Sequence, residues 1–336
     1  MIKIGINGFG RIGRSVFKNL LNFSEYKVVH INELNPNIEN IAYLLKYDST
    51  YGKLDNDISH KDSNLIVDGQ NIKISNEIKI TDVNWKKSNV DFIIDSSGID
   101  KNIILSKKLN KVAKRVIVTK STNLSDKEII LGINDNQITS KDFVISSSIC
   151  DANACSHILD WVNHKYKIIN GHITTLHPWL SYQNLVDNSP INQSNPSIGW
   201  PDFSLGRASV GSLIPKNTTL IEAVSKVLPS MKKKITCFSY RVPTDTVASA
   251  DITLNIKNKT NLTSLKKFLK EKVKDSDFLQ LNNDSLVSVD YMKTDKSAFI
   301  DNQWTKVNAN TIRLVLWYDN EWGYSNIICK MIKNLK

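Results

Sequence analysis

A chain of 336 residues, 41% hydrophobic and 23% charged, has ordinary globular composition and room for two domains, which excludes a disordered, fibrous or membrane-embedded polypeptide. Its four cysteines (Cys150, Cys155, Cys237, Cys329) are too few and too scattered for a disulfide framework, and none has the CxxC spacing of a metal site, so free thiols and no metal are expected. The formal charge of +11 comes from lysines dispersed among Asn and Asp, with only six arginines, which argues against a dedicated nucleic-acid surface.

Met1-Ile2-Lys3-Ile4-Gly5-Ile6-Asn7 lacks the apolar run of a signal peptide, and no stretch approaches the ~18 apolar residues of a membrane span, so a soluble, cytoplasmic protein without a membrane partner is expected. Residues 2–7 alternate as a strand does, Gly8-Phe9-Gly10-Arg11-Ile12-Gly13 follows at once, and Arg14 to Leu21 carries apolar residues at helical spacing. That order predicts strand, glycine turn, helix. Tyr26 to Ile31 reads as a second strand and Ile38 to Leu45 as a helix. Val90-Asp91-Phe92-Ile93-Ile94 and Arg115-Val116-Ile117-Val118 read as buried strands separated by Ile103 to Lys111. Alternating strand and helix predict a parallel, doubly wound α/β sheet.

After Cys150 the texture changes. Ala154 to His164 reads as a helix, and long strand-like runs follow at Ile168 to Leu176, Lys234 to Arg241, Ala248 to Ile256 and Thr311 to Tyr318, predicting a second domain on an antiparallel sheet. Between Asp187 and Arg207 the run from Asn188 to Pro196, rich in Pro, Ser and Asn, predicts a loop.

The three glycines have separate physical uses in a dinucleotide fold: Gly8 for a tight turn, Gly10 for close approach of backbone to pyrophosphate, Gly13 for helix packing on the sheet. The phosphates then meet the free N–H groups and positive end of the following helix. An acid about 20 residues on, at the end of the second strand, accepts hydrogen bonds from the adenosine ribose. Glu33 stands there, and its charge repels a 2′-phosphate, so NAD is expected over NADP. The alternative is that Glu33 is a solvated residue opening a loop.

Four later stretches carry chemistry: Ser146-Ser147-Ser148-Ile149-Cys150-Asp151-Ala152-Asn153, Thr174-Thr175-Leu176-His177, Arg241-Val242-Pro243-Thr244, and Trp317-Tyr318-Asp319-Asn320-Glu321-Trp322-Gly323-Tyr324-Ser325-Asn326. With Asn7 to Arg14 and Leu44 to Thr50, they make the chain resemble the phosphorylating glyceraldehyde-3-phosphate dehydrogenases along nearly its whole length. The resemblance implies a Rossmann-type doubly wound parallel sheet plus an α+β catalytic domain with a mainly antiparallel sheet. It places an NAD-binding domain at 1–149, joined by a C-terminal helix at about 318–336, and a catalytic domain at 150–317. It also implies a homotetramer, with the loop between Asp187 and Arg207 at a subunit contact.

The implied activity is NAD-dependent oxidation of an aldehyde, glyceraldehyde 3-phosphate or a related sugar aldehyde. Cys150 adds to the carbonyl, hydride leaves the thiohemiacetal, and inorganic phosphate opens the resulting thioester. His177 acts as the base. Cys150 follows a predicted strand and precedes a predicted helix, and a helix N-terminus lowers a thiol pKa. The implied cofactor contacts are Asn7, Gly8, Gly10, Arg11, Ile12, Gly13, Glu33, Ser97, Gly98 and Thr119, with Asn320 on the nicotinamide carboxamide and Tyr324 beside that ring. The implied substrate contacts are Asp151, Thr218 and Arg241, with Arg207 and Lys216 as weaker candidates. Cys155, Cys237 and Cys329 read as small buried hydrophobes.

The chain departs from the family pattern at the anion sites. The usual Ser-Cys-Thr-Thr-Asn becomes Ile149-Cys150-Asp151-Ala152-Asn153, which removes a hydroxyl donor and sets a carboxylate where the attacking phosphate docks. The usual threonines after the catalytic histidine become Leu180 and Tyr182, the Ser-Thr-Gly turn becomes Asn217-Thr218-Thr219, and Trp200-Pro201 is inserted before Arg207. Three readings stay open: a glyceraldehyde-3-phosphate dehydrogenase with phosphorolysis, a paralogue with another substrate or acyl acceptor, and an NAD- or RNA-binding protein without turnover.

Overall fold

The computed structural model describes residues 1–190 and 202–335, so most of the loop expected between Asp187 and Arg207, with the Trp200-Pro201 insertion, lies outside the described residues. The chain divides into two compact units. One comprises residues 1–129, 137–148 and the stretch from Ile328 onward; the other comprises 130–136 and 149–327.

The first unit holds a nine-stranded sheet. In chain order its elements are β1 (Ile2–Asn7), α1 (Arg11–Leu20), β2 (Tyr26–Asn32), α2 (Ile38–Lys46), β3 (Ile58–Lys61), β4 (Asn64–Val67), β5 (Gln70–Ser75), β6 (Phe92–Asp95), α3 (Asp100–Ser106), β7 (Arg115–Val118), β8 (Lys127–Glu128) and β9 (Val144–Ser146). Their order across the sheet is β3-β4-β5-β2-β1-β6-β7-β9-β8. From β5 to β8 every pairing is parallel, and β3-β4-β5 forms an antiparallel edge. The chain steps from β1 outward to β2 and later returns to β6 on the other side of β1. That reversal is the topological switch at which such sheets bind ligands beyond their carboxyl ends. Ile4, Ile6, Ile31, Ile93 and Ile94 are completely buried, as both faces of a central parallel strand must be.

The second unit carries α4 (Cys150–Tyr166), β10 (Ile168–Pro178), β11 (Ile214–Lys216), α5 (Leu220–Val227), β12 (Ile235–Val242), β13 (Ala248–Ile256), α6 (Leu262–Lys274), β14 (Leu279–Asn282), β15 (Ala298–Asp301), β16 (Lys306–Asn308), β17 (Thr311–Tyr318) and the start of α7 (Trp322–Asn334). Its sheet runs β11-β12-β10-β13-β17-β15-β14, with β16 beside β17. Pairings are antiparallel except β10 with β12 and β14 with β15. Alternate residues of β17 (Ile312, Leu314, Leu316, Tyr318) point into one core with Ile158, Leu159 and Val162 of α4. The doubly wound sheet and the mainly antiparallel sheet are those the sequence predicts.

Candidate active site

The first unit gathers the candidate dinucleotide residues between Asn7 and Thr119 near the carboxyl ends of its parallel strands, while Asn320 and Tyr324 belong to the second unit. Gly8 takes φ +87°, a conformation L side chains resist, and a Cβ there would lie 2.7 Å from the Ser97 nitrogen. A Cβ on Gly13 would lie 2.2 Å from the Gly8 carbonyl oxygen, so helix and turn can touch only through glycine. Gly10, by contrast, faces open space, and no side chain caps α1. Bare backbone and a free helix end fit a pyrophosphate.

Glu33 is not a loosely solvated loop residue. Its Oε2 accepts from the Phe9 N–H (2.6 Å) and its Oε1 from the Asn35 N–H (3.1 Å), fixing the carboxylate beside the glycine turn. Asn7 donates to Asp95 (2.9 Å) and accepts from Asn32 (2.8 Å), so its side chain knits β1, β2 and β6 together. Ser97 bonds the same Asp95 oxygen through its hydroxyl (2.7 Å), and burial pushes that carboxyl's pKa up. Gly98 (φ +72°) follows Ser97, and Thr119 follows β7 with its N–H on the Asp95 carbonyl. Ile12 lies in α1, and Arg11 reaches Asp48 at 3.5 Å, where Lys18 also docks at 2.9 Å.

The second unit brings the candidate catalytic side chains together. Cys150 opens α4, and His177 sits near the end of β10, its Nε2 3.6 Å from the Cys150 sulfur. His177 Nδ1 lies 2.8 Å from the Pro178 carbonyl oxygen. A carbonyl only accepts, so Nδ1 carries the proton and Nε2 turns its lone pair toward the thiol. Asp151 is 6% exposed and points inward. Its Oδ1 accepts from the Tyr318 hydroxyl at 2.8 Å and from the Cys150 thiol at 3.5 Å, and lies 4.0 Å from His177 Nε2. The sulfur, oxygen and nitrogen atoms all lie within 4.8 Å of one another.

This cluster corrects one expectation. The helix end should lower the Cys150 pKa, yet burial and then the Asp151 charge push it well up. Burial first, and then the Arg241 charge, lower His177 to about 4. At neutral pH the resting pair is therefore thiol and neutral imidazole.

Register places Arg241 beside His177, because β10 and β12 run parallel with these two residues opposite each other. Arg241 is 6% exposed; its Nη2 donates to the Tyr182 hydroxyl at 3.2 Å, while its buried Nε has no partner among the described residues. Burial raises the Tyr182 pKa, but the Arg241 and Lys216 charges outweigh it and lower the phenol overall. Thr218 accepts from the Leu220 N–H at 3.2 Å, next to the start of α5. Arg207 is exposed and paired with Asp187 at 3.0 Å. Asn320 is 5% exposed, with an Oδ1 that no described residue satisfies, and Tyr324 is buried two residues into α7.

Sequence reasoning missed Tyr318 as the partner of Asp151 and Asp319 as the cap of α7, which accepts from the Trp322 N–H at 2.8 Å. The alternation of β17 would have turned Tyr318 inward, but nothing local says what its hydroxyl meets across 167 positions.

A doubly wound dinucleotide sheet, with a second unit that sets a cysteine at a helix start against a strand-borne histidine, defines an NAD-dependent oxidoreductase acting on an aldehyde. A family profile described as the glyceraldehyde 3-phosphate dehydrogenase NAD binding domain matches residues 2–103, and one for the C-terminal domain of the same enzyme matches 148–320. Glyceraldehyde-3-phosphate dehydrogenase 1 of Bacillus subtilis is 34% identical over 97% of this chain and 95% of its own length. Glyceraldehyde-3-phosphate dehydrogenase 1 of Schizosaccharomyces pombe is 33% identical over 98% and 96%, and the third isoform of Saccharomyces cerevisiae 32% over 100% and 99%. The chain belongs to the glyceraldehyde-3-phosphate dehydrogenase family, and its cofactor is NAD.

Proposed function

We propose that this enzyme oxidises glyceraldehyde 3-phosphate through a thioester on Cys150, with inorganic phosphate releasing the acyl group. The observation that carries the reading is the Cys150 sulfur 3.6 Å from an imidazole nitrogen whose tautomer is set by the Pro178 carbonyl. As the thiol attacks the aldehyde carbon, His177 Nε2 takes its proton. His177 then returns a proton to the new alkoxide and removes it again as the thiohemiacetal collapses to the thioester. NAD, when bound, supplies the hydride acceptor. Gly8, Gly10, Arg11, Ile12, Gly13, Glu33, Ser97, Gly98 and Thr119 would hold it on the first unit, Asn7 acting by fixing the strand ends. The unsatisfied Asn320 Oδ1 suits an amide N–H donor such as a carboxamide, with Tyr324 close by in sequence.

Arg241 would hold the substrate's phosphate or its oxyanion, supported by Lys216, Tyr182 and Thr218. A buried guanidinium with an unused N–H favours an anion strongly, since hydrogen bonds to charged groups contribute about 1.5–3 kcal/mol each. Among the described residues no helix is long and apolar enough to cross a membrane. The family resemblance supports a cytoplasmic homotetramer.

The test is NADH formation from glyceraldehyde 3-phosphate and NAD with saturating inorganic phosphate. Wild type should turn over, and Cys150→Ser should form no NADH while binding NAD normally. Normal turnover by the serine variant would reject the covalent route.

A further inference from the structure

We propose that Asp151 is a second catalytic base of this site and gives the enzyme a hydrolytic release of its acyl group, so that water opens the Cys150 thioester beside phosphate. The inference rests on the reading of Cys150 as the acylated nucleophile. Three contacts converge on one carboxylate oxygen: the Cys150 sulfur at 3.5 Å, the Tyr318 hydroxyl at 2.8 Å and His177 Nε2 at 4.0 Å. All three fall on Oδ1. Tyr318 is 1% exposed and clamps Asp151 against the reacting sulfur.

An acyl carbon on that sulfur is one bond beyond it, so a water attacking this carbon can rest within hydrogen-bond reach of the Asp151 carboxylate. The carboxylate discriminates between acceptors. It repels a phosphate dianion brought to the same carbon, whereas it binds and activates neutral water. The step balances without any redox partner. The Asp151 carboxylate takes one proton as the water oxygen bonds to the acyl carbon, the tetrahedral intermediate collapses with loss of the carbon–sulfur bond, and the departing sulfur recovers that proton. The products are a free thiol and a carboxylic acid, which ionises into solvent.

The test uses the full chain in phosphate-free buffer with EDTA, so that no cation bridging the cluster activates water, and follows NADH after rapid mixing with glyceraldehyde 3-phosphate and NAD. Wild type should show an acylation burst followed by steady turnover without phosphate, with one carboxylate product formed for each NADH beyond the burst. D151N should still release about one NADH per site in the burst, at a rate set by its altered Cys150, while its phosphate-free steady rate falls at least about tenfold, within the range a general base contributes. Tyr318→Phe, which removes the hydroxyl holding Asp151 in place, should also lower the phosphate-free steady rate while the NADH burst remains. A burst without phosphate-free turnover, or D151N hydrolysing like wild type, overturns the role of Asp151 and leaves the thioester reading standing. No NADH from wild type, in a burst or in steady state, overturns that reading and the inference together.

Discussion

Replacing Asp151 by Asn should make Cys150 a stronger acid. In the folded protein a carboxylate oxygen lies 3.5 Å from the sulfur, and its negative charge opposes thiolate formation. At an effective dielectric near 20 the repulsion is roughly 5 kcal/mol. Cys150 is partly exposed, so solvent screening at twice that dielectric brings the effect to roughly 2 kcal/mol. Removing the charge must lower the thiol pKa, because the neutral amide no longer disfavours the thiolate. The assay is the pH dependence of alkylation by iodoacetamide in the absence of substrate, under pseudo-first-order conditions. The wild-type rate should still be climbing above the ordinary cysteine value of about 8.5, and the midpoint of D151N should fall clearly below that of wild type. A midpoint that moves by less than about 0.5 unit would refute the electrostatic role of Asp151. A wild-type plateau near pH 6–7 would instead show a thiolate–imidazolium pair at rest.

His177→Asn should slow the NADH burst by ~10²–10⁴, and a loss below tenfold in stopped-flow removes it as the base. Glu33→Ala should weaken NAD binding by about 10–100-fold through the lost charged acceptor and narrow the preference over NADP; equal losses for both dinucleotides in a fluorescence titration would assign Glu33 only to shaping the turn. Asp48→Asn should cost about 2–3 kcal/mol in urea unfolding at pH 7, because Lys18, 4% exposed, loses its carboxylate partner. Burial opposes the Asp48 charge, but Lys18 and Arg11 outweigh it and hold its pKa at about 2. That stabilisation is complete above the unfolded value near 3.9 and disappears as pH falls through about 2, so wild type and variant should converge in acid. A gap that persists at pH 2 rejects this pairing.

The dinucleotide half was legible because its signals are local. A strand, a glycine turn and a helix occupy 19 consecutive residues, and Gly8 and Gly13 are each required by a steric fact about their own neighbours, as the 2.2 Å approach of a Gly13 Cβ to the Gly8 carbonyl shows. The antiparallel strands were legible for a similar reason, since alternation over β13 and β17 reports one buried face. Cys150 and His177 were readable as a pair from motif residues 27 positions apart, but their separation and the His177 tautomer were not.

The amino-acid sequence by itself determined the fold class, the family, the candidate nucleophile and the presence of an acidic residue where the family's motif has a hydroxyl. Only the tertiary structure decided what that acid does. Asp151 could have capped the free N–H groups of α4, for which an aspartate in the first helical turn is suited. It turns instead toward sulfur and the Tyr318 hydroxyl, a partner delivered by the end of a strand 167 residues later. Arg241 likewise meets His177 only through the parallel register of β10 and β12. Charge interactions depend on distance and desolvation, and both are set by contacts between residues far apart in the chain. The same Cys-Asp dipeptide would therefore carry a low or a high thiol pKa according to the rotamer that folding imposes.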